Sequence, residues 1–472
     1  MTDRGNRGLK STIDWRIVIY YLLLVLIGFI NIYASIHSSE PSSIFDFNVR
    51  SGKQFVWILT ALVLAVLILF VFNPRLWEVI SIPSYLIVLV LLVAVIFVGS
   101  DVKGSHSWFN LGPVSFQPAE VSKIATSLVL ATLMSKTNFK MSNMKDLLLV
   151  AAVIALPMLI IVAEKETGSA LVYLGFIFVL YREGLSGWFL FFIGVIIMLF
   201  ILTLTTSIYT ALIVLVAVAS LCYSIYSGKA KRWFMADVPA ILALIFIPKF
   251  NLPFSPLYVF FALAAVQAAR MAYKSFRHRK FITFATLVAF LLGIGIVFST
   301  EYIFNNVLQD HQRSRIEVLL GMKDDPAGVG YNVKQSKIAI GSGGVFGKGF
   351  LQGTQTTYGF VPEQSTDFIF CTVGEEWGFA GCLIVILLYV FLIHRLISDA
   401  ERCRDQFTRI FGYCVASIIF MHLFINVGMT IGLMPVIGIP LPLLSYGGSS
   451  LWSFTVLIFI FLALYRQEKK YF

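Results

Sequence analysis

The chain has 472 residues, of which 58% are apolar and only 13% charged, with a formal net charge of +11. A soluble domain carries about 25% charged residues, so a water-soluble globule of this size is excluded for want of polar surface. The positive charge is scattered over short segments, which argues against nucleic-acid binding and for attraction to anionic lipid.

Apolar runs long enough to cross a bilayer as helices recur through the chain. The first, Ile17 to Ile36, follows a basic tail with Arg4, Arg7, Lys10 and Arg16. It is too long for a signal-peptide core and reads as a first transmembrane helix. The candidate helices in order are 16–36, 54–73, 77–99, 118–135, 147–163, 168–182, 187–205, 207–226, 236–251, 256–273, 281–300, 368–395, 407–426 and 450–466. The fold class expected is an all-α polytopic bundle of about 14 spans. Placing the N-terminus in the cytoplasm and alternating sides puts 24 of the 36 Lys and Arg residues inside, which satisfies the positive-inside rule with both termini cytoplasmic. The five cysteines form no metal-ligand spacing and read as packing residues. No internal repeat of the transporter kind is visible.

Residues 301–367 are the one long stretch without a spanning helix, and parity places them outside. Their apolar and aromatic residues, among them Tyr331, Ile338, Phe346 and Tyr358, argue for an ordered cap. The domain division that follows is 1–186, an inserted set of helices at 187–300, the outer segment 301–367, and 368–472. The 187–300 spans show no polar constellation and are expected to pack as an appendage that adds no catalytic group.

Three outer clusters carry candidate chemistry. The first runs from Lys103-Gly104 through Trp108 to Gln117-Pro118-Ala119-Glu120-Val121-Ser122-Lys123. Pro118 suits a first helical turn, and Glu120 and Lys123 are then neighbours at i,i+3. They are either an interfacial ion pair or, if they face the bundle interior, part of a substrate path. The second cluster holds Lys337, Gly341-Ser342-Gly343-Gly344, Gly347-Lys348-Gly349 and Gly353-Thr354-Gln355. Glycines that turn N–H groups outward, with Lys337 and Lys348 beside them, suit a phosphate or pyrophosphate, although a plain surface loop has the same composition. Asp367 closes this segment where the next helix begins, as a functional carboxylate or as a helix cap. The third cluster, Asn426 to Ser450, contains Pro435, Pro440, Pro442 and Ser445-Tyr446-Gly447-Gly448. Such irregular backbone at membrane depth must be enclosed by protein or line a wet cavity.

Four stretches (FQPAEVSKIA, YNVKQSKIAIGSGGVFGKGFLQGTQ, FVPEQSTDFIFCTVGEEWG and GLMPVIGIPLPLLSYGGSS) resemble the SEDS family of shape, elongation, division and sporulation proteins. The QSKIAIGSGG wording favours its RodA rod-shape branch. The resemblance covers about 1–186 and 300–472. It implies a peptidoglycan glycosyltransferase that polymerises lipid II on the outer face of the bacterial cytoplasmic membrane. It places the essential carboxylate on Asp367 and adds the paired arginines Arg313 and Arg315 to Glu120 and Lys123. With Lys337, Ser342, Gly343, Lys348 and Gln355 these form the candidate substrate-binding set. A divalent cation (Mg or Mn) is expected as cofactor. A class B penicillin-binding protein transpeptidase and other rod-complex membrane proteins are the expected partners. Ser107 and Ser115 replace arginines common in the family, and its Pro-Asp-x-Gly motif reads Lys165-Glu166-Thr167-Gly168 here. The rival readings are a flippase for lipid-linked precursors, using the same cationic cavity without bond-making, and a non-catalytic scaffold.

Overall fold

The computed structural model describes residues 13–37, 44–47, 49–102, 105–111, 114–226, 230–246, 255–278, 281–308, 310–323 and 329–471. Arg4, Arg7, Lys10, Lys103, Gly104, Lys229, Arg279 and Lys280 lie outside them. The chain divides into two compact units, 1–185 with 325–472, and 186–324.

The first unit opens with α1 (Trp15–Ile36), α2 (Arg50–Phe70) and α3 (Arg75–Val98). After a small sheet come α4 (Pro118–Met134), α5 (Met144–Ala163), α6 (Thr167–Val172) and α7 (Phe176–Arg182), the last two joined by a 3₁₀ turn, Tyr173–Gly175. The sequence reads 168–182 as one span, and the structure gives one apolar helix, Thr167–Arg182, that tightens at that turn without leaving helical dihedrals. The second unit holds α8 (Gly187–Thr205), α9 (Ile208–Tyr226), α10 (Ala230–Phe246), α11 (Pro256–His278), α12 (Phe281–Tyr302) and α13 (Asp310–Leu319). The chain then returns to the first unit through α14 (Val329–Ser342), α15 (Thr354–Thr357), α16 (Ile369–Glu401), α17 (Gln406–Thr430) and α18 (Gly448–Tyr471). Among the described residues nine helices are long and apolar enough to cross a membrane, and four shorter apolar helices accompany them. The chain is a multi-pass membrane protein.

The fold is all-α as expected, with one small addition, a three-stranded antiparallel sheet. It comprises β1 (Ser100–Val102), β2 (Ser105–Leu111) and β3 (Val114–Phe116), with Phe109 opposite Phe116. Backbone groups at the membrane edge need partners, and this connection supplies its own by pairing strand to strand.

In the first unit α17 is the hub, packing on α4, α16 and α18. Its apolar window is 83% buried against 17% for α5, which places α17 at the centre and α5 at the periphery. The sequence explains the difference. Gly412, Ala416 and Ser417 let neighbouring helices approach, and Ser417 donates to the Gly175 carbonyl. The cysteines are free, and Cys371, Cys382, Cys403 and Cys414 are buried, in keeping with a packing role.

The glycine-rich run is not an open anion cradle. Gly378, at φ +65°, breaks α16 within its first third. The released N–H groups of Phe379 and Ala380 donate to the carbonyls of Gly344 and Val345 at 2.9 and 3.0 Å. In return Lys348 and Gly349 donate their N–H groups to the Glu375 and Glu376 carbonyls, both at 3.0 Å. The fit is close enough that a Cβ on Gly347 would lie 2.0 Å from the Glu376 carbonyl oxygen. The glycines therefore let loop backbone replace helix backbone as hydrogen-bond partner.

The second unit contains a largely buried ion pair where the sequence shows no polar constellation. Asp237 of α10 meets Arg270 of α11 at 2.5 Å and also accepts from Ser220 of α9. Arg270 donates to Gln267 and lies 5.8 Å from the centre of the Tyr223 ring. These residues are far apart in sequence and each sits on an apolar helix, so apolar-run analysis passes over them.

Candidate active site

Asp367 sits two residues before α16, and the helix N-cap is Phe368, so Asp367 is not the capping residue. Its carboxylate is half-buried, with Oδ2 beside Gly438. Gly438 has φ +77°, a conformation that suits glycine, and a side chain there would touch the carboxylate. Lys337, on α14, is exposed, and its ammonium packs against Gly432. The segment from Gly432 to Gly438 thus runs from the lysine to the aspartate. Ser336, next to Lys337, donates to the Thr430 carbonyl at the end of α17 and fixes α14 there.

Behind this mouth lies a chain of buried polar groups. Asn426 donates to the carbonyls of Asp367 and Ile439 at 2.8 and 2.6 Å. One turn earlier on α17, His422 approaches the Pro440 carbonyl through Nδ1 at 3.1 Å and Lys123 Nζ through Nε2 at 2.8 Å. The carbonyl only accepts, so Nδ1 carries the proton and Nε2 accepts from the lysine. Lys123 also pairs with Glu120 at 2.7 Å, with side chains 0% and 2% exposed. The pair faces the bundle interior, as one of the two readings of the first cluster requires, and its charge is enclosed.

The Lys165-Glu166-Thr167-Gly168 turn borders the same network. Glu166 accepts from Gln117 at 2.6 Å and from Ser169, and a Cβ on Gly168 would lie 2.9 Å from Ile439. Burial pushes the Glu166 carboxyl above its ordinary range, opposed by its Ser169 and Gln117 hydrogen bonds. Glu164 is 1% exposed, with no hydrogen-bond partner on either oxygen. Burial, with the Glu166 charge beside it, pushes its carboxyl up to about 8.

Ser342, Lys348 and Gln355 converge on a residue that sequence reasoning passed over, Glu375. This fully buried carboxylate takes Lys348 Nζ at 2.6 Å, the Gln355 N–H at 2.8 Å, Ser342 Oγ at 3.4 Å, and both the N–H and hydroxyl of Thr356. Lys348 is therefore neutralised within the fold. Gly343 packs on the same helix, where a Cβ would lie 2.0 Å from the Gly374 carbonyl oxygen. The signal for Glu375 was a pair of carboxylates, Glu375-Glu376, inside an apolar helix. A second missed residue is Arg50, which donates to Ser365 Oγ at 2.7 Å and lies over the Tyr446 ring. Its signal was a cation in a segment that parity assigns to the exterior, against the prevailing charge bias.

Arg313 and Arg315 lie on α13 in the second unit. Arg313 pairs with Glu317 at 2.9 Å and stacks over Phe304, while burial holds the Arg315 guanidinium below its ordinary pKa. No group of three or more His, Cys, Asp or Glu side chains among the described residues is arranged to hold a metal. The expected divalent cation thus has no protein donor cluster among these residues.

The family model described as cell cycle protein, covering FtsW, RodA and SpoVE, matches residues 14–219 and 268–470. The chain belongs to this family. The peptidoglycan glycosyltransferase RodA of Treponema pallidum is 32% identical over 94% of this chain and 95% of its own. MrdB of Escherichia coli, a peptidoglycan glycosyltransferase, is 32% identical over 80% of this chain and 75% of its own. The FtsW/RodA/SpoVE fold is also seen in solved structures. A chain from a peptidoglycan synthase complex that coordinates polymerization and crosslinking superposes with a TM-score of 0.61 at 22% identity, covering 97% of this chain and 98% of that one. Thermus thermophilus rod shape determining protein RodA superposes at 0.55 with 23% identity, covering 97% of each chain.

Proposed function

We propose that this FtsW/RodA/SpoVE protein is a peptidoglycan glycosyltransferase that polymerises lipid II on the extracytoplasmic face of the cytoplasmic membrane during cell elongation. The observation that carries the reading is Asp367, a half-buried carboxylate at the start of a spanning helix with its main chain held from α17. A base in that place takes the proton of the sugar 4-hydroxyl as its oxygen bonds to the anomeric carbon. The bond from that carbon to the pyrophosphate breaks, and undecaprenyl pyrophosphate leaves with the electron pair. Lys337 and Arg50, exposed and near the same segment, supply positive charge for the leaving group. Lys123, enclosed with Glu120 and His422, supports the site from beneath.

The membrane location follows from the substrate, whose lipid tail brings it in laterally between helices. The product is an uncrosslinked glycan. The two Ser-x-x-Lys matches in the sequence, Ser100 to Lys103 and Ser142 to Lys145, fall in short segments between apolar helices rather than in an extracytoplasmic domain, so a class B penicillin-binding protein is the partner that crosslinks it, alongside other rod-complex membrane proteins. Incubation of the purified chain with lipid II tests the assignment. Glycan polymer on a gel supports it. Transfer of lipid II across vesicles without polymer supports the flippase reading, and neither activity supports the scaffold.

A further inference from the structure

The motif Ser445-Tyr446 has no role in the reaction as drawn above, yet it grips the segment that ends in Asp367. Three successive main-chain carbonyls are each bound by a different donor. Ser365 accepts from the Tyr446 N–H at 2.9 Å, Thr366 from Ser445 Oγ at 2.6 Å and Asp367 from Asn426 Nδ2 at 2.8 Å. The N-terminal end of this run is tied by side chains as well, with Arg50 on the Ser365 hydroxyl and the Gln364 amide on the Ser35 carbonyl.

The donors are themselves immobilised. Ser445 Oγ accepts the Leu441 N–H at 2.8 Å, and Asn426 is shared with the Ile439 carbonyl. His422 holds Pro440, and the buried Tyr389 hydroxyl holds the Pro442 carbonyl. On α1, a Cβ on Gly28 would lie 2.6 Å from the Leu444 Cα, so helix and loop are in backbone contact. A carbonyl hydrogen-bonded at every residue cannot rotate its peptide, and a side chain on such a backbone keeps one direction.

We infer that Asn426 and Ser445 are positioning residues that clamp the Thr366–Asp367 main chain and so aim the Asp367 carboxylate at the substrate hydroxyl. The inference rests on the reading of Asp367 as the base. Both side chains are buried and spent on main-chain carbonyls, so removing either donor is expected to change the aim of the base and leave lipid II binding in place. A displacement near 1 Å costs about a hundredfold in rate. Asn426→Ala and Ser445→Ala are therefore expected to lower kcat about ten- to a hundredfold, with KM unchanged within about twofold.

The experiment compares Asn426→Ala, Ser445→Ala, Ser445→Thr and Asp367→Asn in the purified full chain. It measures kcat and KM on lipid II, the thermal midpoint, and hydrogen exchange of the peptide spanning 363–368. The clamp predicts a fall in kcat alone, exchange about tenfold faster in both alanine variants, and recovery of both in Ser445→Thr, which keeps the hydroxyl. Alanine variants with kcat within threefold of the parent and unchanged exchange would overturn it. So would a loss of kcat and KM together that follows a fallen midpoint. If Asn426→Ala does not fold, the Ser445 pair decides alone. Activity in Asp367→Asn removes the reading of the base instead, and the clamp is then judged on exchange.

Discussion

Replacing Lys123 by Met tests whether the enclosed ion pair holds the bundle together. The ammonium has a 2.7 Å bond to Glu120 Oε1 and a 2.8 Å bond to His422 Nε2, with no exposure. Methionine fills similar volume but leaves the Glu120 carboxylate buried without its counter-charge, and Oε2 of that carboxylate has no other partner. Breaking a buried pair from one side costs roughly 3–5 kcal/mol, and the lost bond to His422 adds about 1 kcal/mol. Glu120→Gln alone strands the cation and is expected to cost a similar amount. The double variant removes both charges and should recover much of the loss, giving a coupling above about 2 kcal/mol, where independent sites add within about 0.5 kcal/mol. Denaturant unfolding of the purified chain in detergent, read as a double-mutant cycle, supplies the number. Strict additivity, or single variants as stable as the parent, would refute the reasoning.

Three further outcomes are expected. Glu164 has its folded pKa near 8, above the ordinary value of 4.5, so the folded state binds the extra proton and stability is lost as pH rises from about 4.5 to about 8. Glu164→Gln should raise the thermal midpoint at pH 8.5, by the equivalent of roughly 5 kcal/mol at most, and change little at pH 4.5; the opposite pattern would contradict the burial argument. In the second unit Arg270→Ala strands Asp237 and is expected to lower stability by about 3 kcal/mol, with Asp237→Ala added to it restoring part; an unchanged midpoint in detergent melts would show the pair to be dispensable. For topology, a cysteine at Phe346, which is 84% exposed, should react with an impermeant reagent from outside and one at Lys140 only after lysis, and the reverse would invert the bundle.

Much of this architecture was legible because lipid imposes a single demand. Each spanning segment must be apolar and satisfy its own backbone, so α1, α2, α3 and α5 announce themselves as apolar runs. Glu120 and Lys123 were visible for the converse reason, as charges at helical spacing on an otherwise apolar segment. What stayed hidden depends on pairings across the chain. Asp237 and Arg270 meet only because α10 and α11 pack together, and Ser342, Lys348 and Gln355 lie far in sequence from Glu375, which gathers them. The glycine run left its role open for a physical reason. Glycine signals close backbone approach, and sequence alone does not say whether the approaching group is a phosphate or, as with Gly347 and Glu376, another stretch of the same chain.

The central claim is that Asp367 accepts the proton during glycan polymerisation. Asparagine there keeps the size of the side chain and leaves its main-chain carbonyl on Asn426, but it cannot take up the proton. Losing a general base typically costs about a hundred- to ten-thousandfold. Glycan synthesis by purified Asp367→Asn on lipid II, with its thermal midpoint measured on the same preparation, is the direct test. A protein that folds and binds lipid II yet makes almost no polymer is the predicted result, and a well-folded variant with more than about a tenth of normal activity would contradict it.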